Sequence, residues 1–249
     1  MSDRAIRLFI GARISLASVR ALDEAVQAMR RAGSSASLRC VAPASYHITL
    51  KFLGWARPEV AFALRDRMAT ELVGQRGFEL ETCGLGAFPS LERARVLWAG
   101  VDRQGGARLG ELAARAERVA EELGFAREQR PFHAHVTLAR LKVPGDVRGL
   151  VSACTAQVFR ISWVDSVVLF ESHMKSSGSE YEEKARWALE GDSKASRRHT
   201  GPVETETELD GELPLDEAPD DDLTPEAEGP HQNSVPSADE EQHDDGDQY

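Results

Sequence analysis

Two short stretches decide the fold of this chain: YHITLKFLG at residues 46–54 and HAHVTLARL at residues 133–141. Each contains His-x-Thr-Leu among β-branched and apolar residues, and this composition predicts a strand. Residues i and i+2 share one face of a strand, so His47 and Thr49 point the same way, and so do His135 and Thr137. Two imidazoles and two hydroxyls facing one cleft form an acid–base pair with donors for phosphate oxygens. The pattern therefore indicates phosphoester chemistry.

Strands and helices surround both motifs in similar order. The two His-x-Thr copies lie 88 residues apart, each within a strand-and-helix unit of similar size, which predicts an internal duplication with two lobes facing each other. Periodicity, Gly and Pro predict strands at 7–14, 46–53, 78–82, 96–101, 132–141, 161–171 and 180–189, and helices at 16–31, 58–73 and 106–123.

The charge of the chain divides sharply near Gly191. The formal net charge is −11, yet residues 191–249 hold 19 acidic and 3 basic side chains, which leaves residues 1–190 with a net charge of +5. Beyond residue 200 there is no Lys or Arg, so that segment cannot bury enough apolar surface to fold. We predict a folded domain at 1–190 and an acidic disordered tail at 191–249, acting either as a solubilising segment or as a polyanion mimic that competes for a basic cleft.

Several classes of protein are disfavoured by what the sequence lacks. Cys40, Cys83 and Cys154 have no metal-ligand spacing, so we expect reduced thiols. There is no glycine-rich phosphate loop and no apolar run near 18 residues. We therefore expect a cytoplasmic protein with no membrane contact. The sequence carries no dimerisation signal, so we expect a monomer.

The paired stretches YHITLKFLG and RPFHAHVTLAR resemble the motifs of the two-histidine phosphoesterase superfamily. Within it the chain is most similar to the RNA 2′,3′-cyclic phosphodiesterases, once described as 2′-5′ RNA ligases. The resemblance covers about residues 5–190 and includes RLFIGARI, RVLWAGV and VVLFES. It implies an α+β, bilobal fold in which two antiparallel sheets line a central groove, with helices outside and a pseudo-twofold duplication.

The resemblance also implies an activity: hydrolysis of a terminal RNA 2′,3′-cyclic phosphate to a 2′-phosphate, with no cofactor and no metal. A cyclic phosphate is strained and already activated, so a metal is not needed to generate a strong nucleophile. One neutral histidine takes a proton from water, and the other, protonated, gives a proton to the departing 3′ oxygen. We take His135 as the base and His47 as the acid, and the reverse assignment fits the sequence as well.

Four further residues are implied to bind substrate. Thr49 and Thr137 would donate hydrogen bonds to the non-bridging phosphate oxygens, where charge accumulates in the transition state. Arg140 stands where the family places a phosphate-binding arginine, and Phe52 where it places a side chain that stacks on the terminal base. Arg140 lies three residues from Thr137, an odd offset that needs a strand end or a bulge to reach the same face.

Two details set this chain apart from the family pattern. Family members usually carry proline directly before the second histidine, where this chain has Ala134. His133 shares a strand face with His135, and with His173 the two resemble a metal-ligand set. No acidic or cysteine partner stands at a ligand spacing, so we expect no metal site.

Alternative functions remain open at this point. The chain could be a non-catalytic module that binds RNA or a nucleotide, although intact His47, Thr49, His135 and Thr137 argue against this. It could join RNA ends through a 2′-5′ bond, which is the reverse reaction and needs no further residues. A small cyclic nucleotide could replace RNA as the substrate without changing the chemistry.

Overall fold

The computed structural model describes residues 5–31, 38–152, 158–175 and 178–191 of the 249-residue chain. The predicted tail, apart from Gly191, and Cys154 lie outside these residues. In the described part there are nine strands: β1 Ile6–Arg13, β2 Leu38–Cys40, β3 His47–Ala56, β4 Phe78–Phe88, β5 Ala94–Val101, β6 His135–Gly145, β7 Val158–Val164, β8 Ser166–Lys175 and β9 Gly178–Ala188.

The named strands pair in antiparallel fashion, in the order β7-β4-β5-β6-β3-β1-β8-β9, with β2 added beside β6. The two motif strands, β3 and β6, are neighbours at the centre, joined in register at Ile48 and Val136. The β6 side of this junction holds five strands, β2 included, and the β3 side holds four. Our expectation of two separate sheets is therefore wrong in one respect: because β3 and β6 pair, the two halves form one continuous sheet.

Four α-helices complete the described part: α1 Leu16–Arg31, α2 Pro58–Glu71, α3 Arg103–Glu122 and the short α4 Arg148–Ser152. Side-chain caps begin two of them. Ser15 Oγ accepts from the Ser18 N–H at 3.2 Å, and the Asp102 carboxylate accepts from the N–H groups of Gln104 and Gly105 at 3.0 Å each. This cap starts α3 three residues earlier than its predicted start.

The helices cover one face of the sheet. Leu22 of α1 and Leu109 of α3 share a single buried cluster with Leu8, Ile10 and Ile48 of the central strands. The neighbouring residue Phe9 belongs to a second, smaller cluster. Because strand residues alternate between faces, Phe9 marks the face that the helices leave uncovered.

The structure differs from the predicted elements in three further places. β4 continues to Phe88, six residues past its predicted end at residue 82. The predicted strand at 161–171 is two strands. β7 pairs with β4 in one half of the sheet, whereas β8 pairs with β1 in the other half. Asp165 separates them, and its carbonyl accepts from the Leu189 N–H at 2.7 Å, so the chain changes halves at that residue. The polar segment before the first motif also contains β2, which pairs with β6 through Arg39 and Arg140.

Two further expectations concern thiols and membranes. Cys40 and Cys83 are free cysteines, as predicted. No helix in the described ranges is long and apolar enough to cross a membrane.

Candidate active site

The two motifs place their polar side chains on the uncovered face of the sheet. Ile48 and Val136 are fully buried in the core, whereas His47, Thr49, His135 and Thr137 are only partly buried. The pairing of Ile48 with Val136 brings the two motif strands side by side. We call the face that carries these four side chains the histidine face. The structure thus brings the four predicted residues onto one surface.

Each catalytic candidate is oriented by the same local hydrogen bond. His47 Nδ1 lies 2.7 Å from the carbonyl oxygen of Ser45, and His135 Nδ1 lies 2.7 Å from the carbonyl oxygen of His133. A carbonyl can only accept, so each Nδ1 carries a proton. In the neutral ring Nε2 is then unprotonated. His47 Nε2 accepts from the Thr49 hydroxyl at 3.1 Å. Both motifs therefore direct the same ring nitrogen to proton transfer.

Two bulges bring Arg140 and Phe52 onto the histidine face. In β6, Thr137 pairs with Trp98 and Arg140 pairs with Val96, with a register shift between Leu97 and Trp98. In β3, Thr49 pairs with Gly11 and Phe52 pairs with Phe9, with a shift between Ile10 and Gly11. Each extra residue reverses the alternation of side chains. The odd offset of Arg140 from its motif threonine is thereby compensated, as our sequence argument required.

Aromatic rings surround both imidazoles. The centroid of His47 lies 4.7 Å from that of Phe9 and 5.0 Å from that of Tyr181. The centroid of His135 lies 5.1 Å from that of Phe88, and Trp98 packs on the adjacent His133 at 4.7 Å. These rings limit the access of water to the imidazoles.

Gly11 leaves room beside His47. A Cβ at this position would lie 2.9 Å from the Ile48 carbonyl oxygen and 3.5 Å from His47 Cδ2. Contacts below 3.0 Å to backbone force a shift, so a side chain here would displace β3 at the motif itself.

Burial lowers the pKa of both histidines. For His47 the burial of the ring among apolar side chains lowers the pKa from 6.5 to about 4, and the positive charges of His135 and Arg13 act in the same direction. For His135 burial is again the main cause, and His133 and Arg140 add to the lowering of its pKa. Both imidazoles are therefore neutral at pH 7 in the free protein.

Positive charge lines the site in both halves. Arg13 pairs in register with His47, and its guanidinium lies 5.0 Å from the Phe170 ring centroid and 3.6 Å from the Glu183 carboxylate. Arg140 is exposed and pairs across β2 with Arg39. The site is electrostatically suited to a phosphate.

The three histidines that resemble a metal set do not meet. His173 belongs instead to a group with Glu171 and Glu182, whose potential ligand atoms lie within 4.8 Å of one another. Glu171 pairs with the core residue Leu8, so this group lies on the opposite face from the motifs. Lys184 Nζ lies 3.1 Å from Glu171 and 3.2 Å from Glu182, so its ammonium offsets one of the two negative charges.

The lowered pKa of His47 predicts a loss of stability in mild acid. Between pH 6.5 and about 4 the unfolded chain binds a proton at this residue that the folded protein excludes, so stability falls as pH falls through this window. At pH 4.5 the free energy of unfolding is lower by about 2 to 3 kcal/mol than at pH 7, at 1.36 kcal/mol per pKa unit. Urea titrations of wild type and His47→Gln at pH 7 and 4.5 measure this change in the free energy of unfolding. Equal pH dependence in the two proteins would contradict the prediction.

The residues that surround the imidazoles were not among the predicted site residues. Phe9 and Arg13 stand at i and i+4 in RLFIGAR and share a face with Gly11 between them, a period-2 signal that was readable. What the sequence did not give was that β1 is the neighbour of β3. Phe88, Phe170 and Tyr181 come from strands that sequence alone did not place beside either motif.

Comparison with known proteins gives a consistent result. A family model described as LigT like Phosphoesterase matches this chain twice, at residues 15–98 and at residues 100–181. The RNA 2′,3′-cyclic phosphodiesterase of Aeropyrum pernix is 38% identical over 114 residues, which cover 46% of this chain and 63% of the relative. The protein of the same name from Geobacillus stearothermophilus is 35% identical over 180 residues, which cover 68% of this chain and 54% of the relative.

A solved structure shares the fold. The crystal structure of E. coli LigT complexed with 3′-AMP superposes with a TM-score of 0.61 at 26% identity, over 74% of this chain and 98% of that one. The two matches of the family model, one in each half of the chain, agree with the predicted duplication. The chain spans just over half to about two thirds of the length of the two curated relatives named here.

Proposed function

Because the chain belongs to the LigT-like phosphoesterase family, we propose that it hydrolyses the terminal 2′,3′-cyclic phosphate of RNA to a 2′-phosphate. The observation that carries this proposal is the pair of imidazoles on one face, each with its Nδ1 bound to the carbonyl two residues earlier. This arrangement gives two Nε2 atoms that can exchange protons with a substrate lying on the histidine face, across the two motif strands. The relatives bear the name of the same activity.

The proposed reaction uses one proton shared by the pair. A neutral imidazole takes a proton from water, whose oxygen bonds to phosphorus. The P–O3′ bond breaks, and the protonated imidazole gives its proton to O3′, leaving a 3′-hydroxyl and a 2′-phosphate. The active form therefore carries one proton on the two Nε2 atoms of His47 and His135 together, besides the proton that each Nδ1 keeps, and the chemistry needs no other titrating group.

The remaining site residues bind the phosphate and the base. The hydroxyls of Thr49 and Thr137 donate to the non-bridging oxygens, and the Arg140 guanidinium balances the phosphate charge. Thr49 now contacts His47 Nε2, so a bound phosphate replaces that contact. Phe52, 49% exposed on the same face, offers its ring to the terminal base.

The proposal also covers the lobes, the oligomeric state and the cellular location of the enzyme. The two halves of the sheet act as two lobes related by a pseudo-twofold, with a motif strand from each at the substrate. We further propose that the enzyme is a cytoplasmic monomer that uses no cofactor and no metal. A small cyclic nucleotide has the same reacting group as RNA and is a second substrate of the same site.

The lowered pKa values predict an acidic optimum. At pH 7 both rings of the free enzyme are neutral, so the singly protonated form becomes more abundant as pH falls. We expect kcat/KM to rise below pH 7, to peak between about 4 and 6.5, and to fall when the second ring protonates. Initial rates with a 2′,3′-cyclic mononucleotide from pH 4 to 9 measure this. A flat profile through pH 6.5 would contradict shared-proton catalysis.

The activity itself is tested with purified full-length chain and the four 2′,3′-cyclic mononucleotides. The expected product is the nucleoside 2′-phosphate, resolved from the 3′-phosphate by chromatography. Turnover that stops on addition of EDTA would contradict the metal-free mechanism. Binding without turnover of any cyclic phosphate would favour the non-catalytic module.

A further inference from the structure

The histidine face continues beyond the catalytic motif along β1 and β3. Phe52 pairs with Phe9, and Trp55 pairs with Arg7, two positions further along β1. Paired residues of antiparallel strands point to the same side, and Arg7 lies over Phe52 with its guanidinium 4.9 Å from the ring centroid. Arg7, Phe52 and Trp55 therefore form one surface on the side of His47. We call these three residues the aromatic–basic strip.

Trp55 is the unexplained member of this strip. Its side chain is 65% exposed, although it is the largest apolar side chain in the strand. The bulge at Leu8 and Phe9 turns it to the histidine face, while its neighbours Leu53 and Ala56 enter the core. Trp55 has no role in the proposed reaction at the phosphate, and it is not part of the buried core. An exposed ring beside an arginine is the arrangement that holds single-stranded nucleic acid by stacking and charge.

We propose that Trp55 stacks on the base preceding the terminal nucleotide, and that Arg7 neutralises the RNA backbone between the two bases. This inference rests on the proposed function, because it takes the terminal base to lie on Phe52. Their partners Phe9 and Arg7 are two strand residues apart, a distance of roughly 7 Å, so the two rings are spaced for successive, unstacked bases. The strip makes the enzyme prefer an RNA end over a free cyclic nucleotide, independently of sequence, since every base has a face to stack.

The test compares two substrates of different length. Trp55→Ala is expected to lower kcat/KM for a pentanucleotide ending in a 2′,3′-cyclic phosphate about 10-fold, the typical loss of one stacked base. Turnover of the cyclic mononucleotide stays within twofold of wild type. Arg7→Gln is expected to lower kcat/KM for the pentanucleotide and to weaken the dependence of this kcat/KM on salt concentration. A pentanucleotide that lacks the penultimate base should be cleaved equally by wild type and Trp55→Ala.

Phe62→Ala provides the matched control. Phe62 lies on α2, is 63% exposed, and has the Arg65 guanidinium 5.7 Å from its ring centroid, so it repeats the chemistry of the strip away from the histidine face. This variant is expected to keep the wild-type kcat/KM for both the pentanucleotide and the cyclic mononucleotide. An equal loss on both substrates in Trp55→Ala, or no loss on either, would overturn the inference.

A binding measurement separates this inference from the proposed function. The affinity for a labelled pentanucleotide ending in a 2′-phosphate needs no catalysis, and Trp55→Ala should weaken it about 10-fold. If wild type hydrolyses no cyclic phosphate but shows this loss, the activity is wrong and the strip still binds RNA. If wild type is active, and wild type and Trp55→Ala bind the pentanucleotide with equal affinity, the proposed role of the strip is wrong and the proposed activity stands.

Discussion

Replacing either His47 or His135 with alanine is expected to lower kcat for a cyclic phosphate about 10³-fold, within the range for losing a general acid or base. Each ring supplies a distinct proton transfer, so neither loss is compensated by the other ring. The affinity for product should change little, because Thr49, Thr137 and Arg140 remain. Single-turnover rates with both variants measure the chemical step directly.

His173→Ala is the control for this comparison. His173 is also a strand histidine, 3.1 Å from the Glu182 carboxylate, but it lies on the opposite face of the sheet. We expect wild-type kcat from it. If one motif variant kept more than a tenth of wild-type kcat with an unchanged pH profile, the two-histidine mechanism would be wrong.

The second large effect is expected at the two threonines. Thr49→Val and Thr137→Val keep the shape and strand preference of the side chain but remove one donor each to the charge that develops on phosphate. The loss of one such donor costs about 10²-fold in kcat. The effect should appear in kcat rather than in KM, because the donor interacts most strongly with the transition state.

Thr70→Val serves as the reference for that substitution. Thr70 lies on α2, and its hydroxyl donates to the Asp66 carbonyl at 3.3 Å, away from both motifs. Its kcat should equal that of wild type. Loss of melting temperature without loss of kcat in the motif variants would give Thr49 and Thr137 a structural role instead.

The sequence was sufficient to predict that the four motif side chains share one face of the sheet. Alternation within HITL and HVTL predicted which side chains share a face, because strand periodicity is local and each motif is bounded by core residues such as Ile48 and Val136. The repeated motif also predicted two similar halves. The family is confirmed by a model that matches both of them.

What the sequence left out depends on pairing between distant strands. That β3 and β6 join the halves into one sheet depends on a single registered pair, and no local pattern predicts it. The division at Asp165 was missed because strand-forming apolar residues stand on both sides of Asp165 and Ser166, although the two strands belong to different halves. The bulges were required by the odd offset of Arg140, yet only the register locates them.

The pKa values could not be predicted from the sequence either. With its ordinary pKa near 6.5, a histidine pair would be poised for neutral pH. The aromatic rings around His47 come from β1, β8 and β9, and their packing is what buries the imidazole and lowers its pKa to about 4. The pH dependence that we propose for the activity is therefore a property of the assembled sheet.

The most direct test of this account is the position of phosphate after hydrolysis of a short RNA with a 2′,3′-cyclic end, in EDTA, followed by ³¹P NMR. The account predicts that wild type yields only the 2′-phosphate, and that His47→Ala and His135→Ala yield none over the same time. A 3′-phosphate product, or turnover that requires an added metal ion, would contradict it.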